Sequence, residues 1–141
     1  MTPEQYSEEI QRTWQTDGLT WREQVCNATL GLVGEAQEYE DSQLSVDELG
    51  DVYFYTYTLR RLLGGKYKAG HRKLSHYSEL AGWIAEAVKK HLFHGESPGE
   101  ARELVEDLIY TLHDCARTER YTPGEVMEMN IQKLRKRYPT E

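Results

Sequence analysis

The sequence predicts an all-α protein whose core is a four-helix bundle built from an internally duplicated helical hairpin. Three observations point there. Helix-start signals of one kind recur along the chain, glycines stand where helices should stop, and a short acidic and aromatic segment occurs twice.

Thr2-Pro3-Glu4-Gln5 places a capping hydroxyl, a proline at the first helical position and a polar residue at the third, which predicts a helix over 3–17. A second helix is expected over 20–41. Ser45-Val46-Asp47-Glu48 reads as a capping box opening a third, 45–63, stopped by Gly64-Gly65. Within it, Val52 to Thr58 is rich in β-branched and aromatic residues and on propensity alone would be a strand. The capping box before it, and the stripe of Val52, Tyr55, Leu59 and Leu62, favour a helix whose aromatic residues serve the core. A fourth helix over 75–94 stops at Gly95. Ser97-Pro98-Gly99-Glu100 and Thr122-Pro123-Gly124-Glu125 open the last two, 98–118 and 123–137.

The repeat pairs Glu48 to Thr56 with Glu103 to Thr111. With only two copies it is no solenoid. It reads as a duplicated hairpin, 20–63 and 75–118, and two hairpins supply the four helices of a bundle, followed by a C-terminal helix over 122–138. The whole chain, 1–141, is expected to be a single domain.

Composition narrows the function. Of 141 residues, 24 are acidic and 17 basic, a formal charge of −7. Such a chain repels a phosphate backbone, which argues against a nucleic-acid polymer as partner, yet a cation can still mediate nucleotide binding. Cys26 and Cys115 lie far apart in no ligand spacing and read as reduced thiols. The N-terminus carries no apolar signal core, and no apolar run approaches a membrane span. A soluble cytoplasmic protein is expected.

Four carboxylates carry the chemistry. Glu35 and Glu38 are three apart, as are Glu48 and Asp51, so each pair projects from one helix face. The short link between their helices makes them antiparallel neighbours. Four clustered carboxylates repel, and without a cation one must hold a proton. A hard divalent ion resolves this, and all-oxygen ligation suits magnesium or manganese. Gly31, Gly34 and Gly50 flank the acids, each at a cost of roughly 1 kcal/mol relative to alanine, and close helix approach there would compensate. The same spacing also occurs on solvated helix faces, so spacing alone leaves both readings open.

The segments Asn27 to Glu38 and Asp47 to Tyr55 resemble the E-x-x-E…E-x-x-D signature of the MazG-like all-α nucleoside triphosphate pyrophosphohydrolases. Tyr6 with Arg12 and Thr13 resembles that family's first helix. Asn130 to Pro139 is similar to its C-terminal N-x-x-K-L-x-x-R-Y-P segment, and Lys89 to Gly95 to the stretch after its second glutamate. The resemblance implies magnesium-dependent cleavage of (deoxy)nucleoside triphosphates to monophosphate and pyrophosphate, cleaning nucleotide pools. It implies Glu35, Glu38, Glu48 and Asp51 as metal ligands and catalytic acids, one of them orienting water. Lys89, Asn130, Lys133 and Arg137 become candidates for phosphate or sugar contact, with a solvated or subunit-facing basic surface as their other role. The family usually assembles as dimers or tetramers, so a homo-oligomer is expected.

The chain also departs from the family pattern. The first hairpin has the acids on a minimal link. The second keeps Lys89-Lys90-His91 but carries Leu80 and Trp83 where two glutamates are expected, with Glu103 and Glu106 as a remnant. One chain then mimics two fused subunits, an active hairpin and a degenerate one, with Trp83 filling the vacated site or walling a nucleotide pocket.

Rival chemistries fit less well. No histidine has Glu three positions before it, which a di-iron bundle requires. His113-Asp114 lacks the later aspartate of an HD-type phosphohydrolase. His91 and His94 have no evident third ligand. The remaining alternative is a nucleotide-binding or regulatory module that has lost turnover.

Overall fold

The computed structural model describes residues 1–14 and 17–139, and these form six α-helices and no strand. The helices are α1 Pro3–Gln11, α2 Trp21–Asp41, α3 Val46–Leu62, α4 Tyr77–Phe93, α5 Gly99–Thr118 and α6 Pro123–Arg137. None of them is long and apolar enough to cross a membrane.

Local chemistry accounts for most of the boundaries. Thr2, Thr20 and Thr122 each cap a helix through a full capping box with Gln5, Glu23 and Glu125. The start of α2 falls where expected, and Thr20 supplies it with a capping box that the sequence reading did not name. At Ser45 the expected box does not form: the hydroxyl makes no cap bond, and the Glu48 carboxyl groups with Glu35 and Glu38. Before α5, the Ser97 hydroxyl accepts from Gly99 N–H at 3.4 Å and the helix starts one residue late. At the end of α3, Gly65 N–H reaches Arg60 C=O and Gly64 N–H reaches Arg61 C=O, with φ of +112° at Gly64, a turn that suits glycine.

α1 stops at Gln11, well before the expected residue 17; of the shortfall, 15 and 16 lie outside the described residues. Thr13 bonds its hydroxyl back to Ile10 C=O, the backbone tightens, and Trp14 swings against Phe54 and Tyr55.

The packing forms a closed ring. α2 lies on α3, α3 on α5, α5 on α4, and α4 on α2, while α6 covers α3 and α5 and α1 covers α3 and α6. Neighbours in the ring run antiparallel. Trp21 at the start of α2 donates to Leu62 C=O at the end of α3 at 2.8 Å, and Arg22 donates to Leu92 C=O at the end of α4. Leu32, Leu49, Leu59, Leu80, Ile84, Leu108 and Leu112 meet inside the ring, fully buried. Each such side chain contributes roughly 1.5–3 kcal/mol.

α3 is the central element. From Leu49 to Leu59 only Asp51 and Tyr55 escape full burial, so the helix is enclosed nearly all round rather than along one stripe. That explains its strand-like composition: bulky and β-branched side chains fill space in every direction. Tyr53 and Tyr57 serve the core as expected, whereas Tyr55 turns outward beside the acids.

The link from α2 to α3 is short and strained. Gln43 and Leu44 both adopt positive φ, at 61° and 65°. Leu44 N–H closes on Tyr39 C=O at 3.1 Å. This reversal sets the end of α2 against the start of α3 and so brings the two acidic pairs into one place.

Candidate metal centre

Glu35 and Glu38 lie on the last two turns of α2, and Glu48 lies on the first turn of α3. One carboxylate oxygen from each of the three falls within 4.8 Å of the others. The Oε2 atoms of Glu35 and Glu48 are buried and have no hydrogen-bond partner among the described residues. A buried carboxylate oxygen without a partner is costly, and a cation among the three removes the cost.

Electrostatics point the same way. Burial, reinforced by Asp51, Glu38 and Glu48, pushes the Glu35 carboxyl up to about 7. Burial and Asp51 also raise Glu48, against the opposing pull of Lys133. The donors are all hard oxygens, which fits magnesium or manganese.

Asp51 is close enough to raise Glu35 and Glu48, yet its oxygens do not join the trio that falls within 4.8 Å. One turn after Glu48, it faces α6, where Lys133 Nζ lies 2.8 Å from its Oδ2 and 3.0 Å from Asp47 Oδ2. Burial disfavours the Lys133 ammonium, but the bonds to Asp51 and Asp47 outweigh that and raise its pKa. Asn130, buried on α6, points Nδ2 at Asp51 Oδ1 from 3.5 Å and accepts the Tyr6 hydroxyl at 2.7 Å.

A cleft of about 160 Å³ opens beside the acids. Glu35 and Asp51 line it together with the aromatic Trp14, Phe54, Tyr55 and Tyr138, and with Asn27 and Arg137. Next to it, Lys133, Lys136 and Arg137 of α6, with Asp47 of α3, line a shallow surface. The glycines divide in their roles. A Cβ at Gly31 would meet Tyr55 Cε1 at 2.3 Å, and one at Gly50 would meet Asn130 at 3.2 Å, so both permit close approach. Gly34 has open space beside it, which corrects the expectation of close packing there.

Of the basic candidates, Asn130, Lys133 and Arg137 gather around the acids. Lys89 does not: it pairs with Glu86 on its own helix at 3.2 Å, half exposed, outside the cleft lining. Trp14, Phe54, Asn27 and Asp47 are the residues that spacing did not single out for the site. Trp14 had a signal only in retrospect, the Thr13 hydroxyl that ends α1.

At the positions that the sequence pattern aligns with the acids, different contacts form. Leu80 is fully buried core, and Trp83 lies under the Arg72 guanidinium at 3.9 Å. Glu106 receives a two-pronged pair from Arg60, both contacts at 2.7 Å. Asp107 accepts Arg72 N–H at 3.2 Å, and Glu103 faces Lys68 at 3.8 Å. Among the described residues, Asp107 Oδ1 is also buried without a partner, but no trio of carboxylates converges on it. His91, at the end of α4, bonds Glu96 C=O at 2.7 Å.

Comparison with protein-family models, with curated proteins and with solved structures returned no match.

Proposed function

We propose that this protein hydrolyses nucleoside triphosphates to monophosphate and pyrophosphate, with Glu35, Glu38, Glu48 and Asp51 holding magnesium or manganese. The single observation that carries the reading is the pair of buried, unpartnered oxygens on Glu35 and Glu48 within a trio of converging carboxylates. Resemblance to the MazG-like signature supplies the reaction class, and the duplicated hairpin, active in one half and degenerate in the other, belongs to the same reading.

Bound there, the ion supplies Lewis-acid activation of a water and neutralises charge on the leaving pyrophosphate. The chain's own residues do the rest. Trp14, Phe54 and Tyr55 offer aromatic faces to a base, with Asn27 as a polar contact at the edge. The cleft is small beside the roughly 300–1,000 Å³ that encloses an entire drug-sized ligand. A base entering it sets the α-phosphate at the acids and the outer phosphates toward Lys133, Lys136 and Arg137. A carboxylate left free by the ion orients the attacking water and accepts its proton. Deoxynucleotides are the preferred class, and a homo-oligomer the preferred assembly.

The test is pyrophosphate release from a panel of ribo- and deoxynucleoside triphosphates, with magnesium and with chelator. Magnesium-dependent release is expected. Tight nucleotide binding without release would instead identify a binding or regulatory module.

A further inference from the structure

We infer that Lys133 is a built-in counter-cation for Asp51, one that a divalent ion must displace and that then passes to the phosphates of the substrate. The inference rests on the metal-site reading above.

Two observations have one cause. Asp51 lies outside the trio formed by Glu35, Glu38 and Glu48, and both of its oxygens face α6: Oδ2 to Lys133 at 2.8 Å, Oδ1 to Asn130 at 3.5 Å. An ammonium and a metal ion compete for the same lone pairs. As long as Lys133 holds Asp51, the cluster offers a cation three carboxylates instead of four. The contact is sheltered, with side-chain exposures of 22% for Lys133 and 19% for Asp51, so water screens it less than a surface pair.

The surroundings suit an exchange. Asp47, 63% exposed at its side chain, is a second partner that keeps the ammonium nearby once Asp51 has turned. Lys133 also belongs to the basic surface shared with Lys136 and Arg137, where it meets an anionic ligand without a large movement. Release of Lys133 by the cation frees a charge for the triphosphate, and capture of Lys133 by the triphosphate frees Asp51 for the cation. By linkage each ligand raises the affinity of the other by the same factor. The protein thereby holds a divalent ion weakly when no nucleotide is present.

The experiment is calorimetric titration of manganese into the full chain, as wild type, Lys133→Met, Asp51→Asn and the double variant, with circular dichroism to verify helicity. Lys133→Gln serves in the same cycle if Lys133→Met does not fold. Removing the ammonium is expected to tighten manganese binding about tenfold. In the Asp51→Asn background the same change should alter affinity by less than about twofold, since no carboxylate remains to be released. Equal tightening in both backgrounds would reveal a general charge effect and overturn the exchange, as would no tightening in either. Absence of manganese binding in wild type and in Lys133→Met alike would remove the metal reading itself, and the exchange with it.

Discussion

Tyr55 lies so close over Gly31 that a methyl group at residue 31 would stand 2.3 Å from its ring Cε1. The aromatic wall of the cleft is thus set by a missing side chain on the neighbouring helix. Gly31→Ala must push the ring aside, and overpacking should outweigh the gain in helix propensity, for a net loss of about 1–2 kcal/mol. Gly34→Ala, three residues on and facing open space, should gain roughly 1 kcal/mol. Urea unfolding of the two variants checks the opposite signs.

Glu35 ties stability to pH. Its folded pKa, about 7, lies above the ordinary 4.5, so the folded state binds the proton more tightly and stability falls as pH rises through that window. His113 acts in the opposite sense. Burial, with Arg117 and Arg60, lowers it from 6.5 to about 4, so stability is lost as pH falls through that range. The two windows overlap and oppose each other, so melting temperatures in chelator should rise more with pH between about 4 and 7 in Glu35→Gln than in wild type, with Glu48 leaving part of the loss in place. Added manganese should stabilise wild type more at about pH 8 than at about pH 5, because binding requires an ionised Glu35.

The two hairpins should respond differently to loss of an acid. Glu106, 5% exposed, pairs with the partly buried Arg60, and Glu106→Ala should cost about 1.5–3 kcal/mol by removing two charge-assisted hydrogen bonds. Asp51→Asn should keep the helical fold and lose turnover. Glu103→Gln should retain activity where Glu48→Gln loses it. Unfolding curves and pyrophosphate assays on all four variants test the division, and equal loss of activity in Glu103→Gln and Glu48→Gln would defeat it.

Much of the fold was legible because helix starts leave local marks. The hydroxyls at Thr2 and Thr122, the prolines after them, and the Gly64-Gly65 stop each act within a turn of their own position. Ser45 misled: its hydroxyl makes no cap bond, and the Glu48 side chain that would have completed the box belongs to the acid cluster. The trio of glutamates was legible because helical spacing and a short link both constrain it. The separation of Asp51 was not, since it depends on Lys133, which lies far along the chain on α6. Trp14 escaped notice for the same reason, because its neighbours Phe54 and Tyr55 come from α3.

The central claim, water attack on the α-phosphorus at the acid cluster, is tested most directly by turnover of a deoxynucleoside triphosphate with magnesium in oxygen-18 water. The expected result is one labelled oxygen in the monophosphate, unlabelled pyrophosphate, and no product from Glu48→Gln. Label in pyrophosphate, release of orthophosphate with a diphosphate, or undiminished turnover by Glu48→Gln would contradict it.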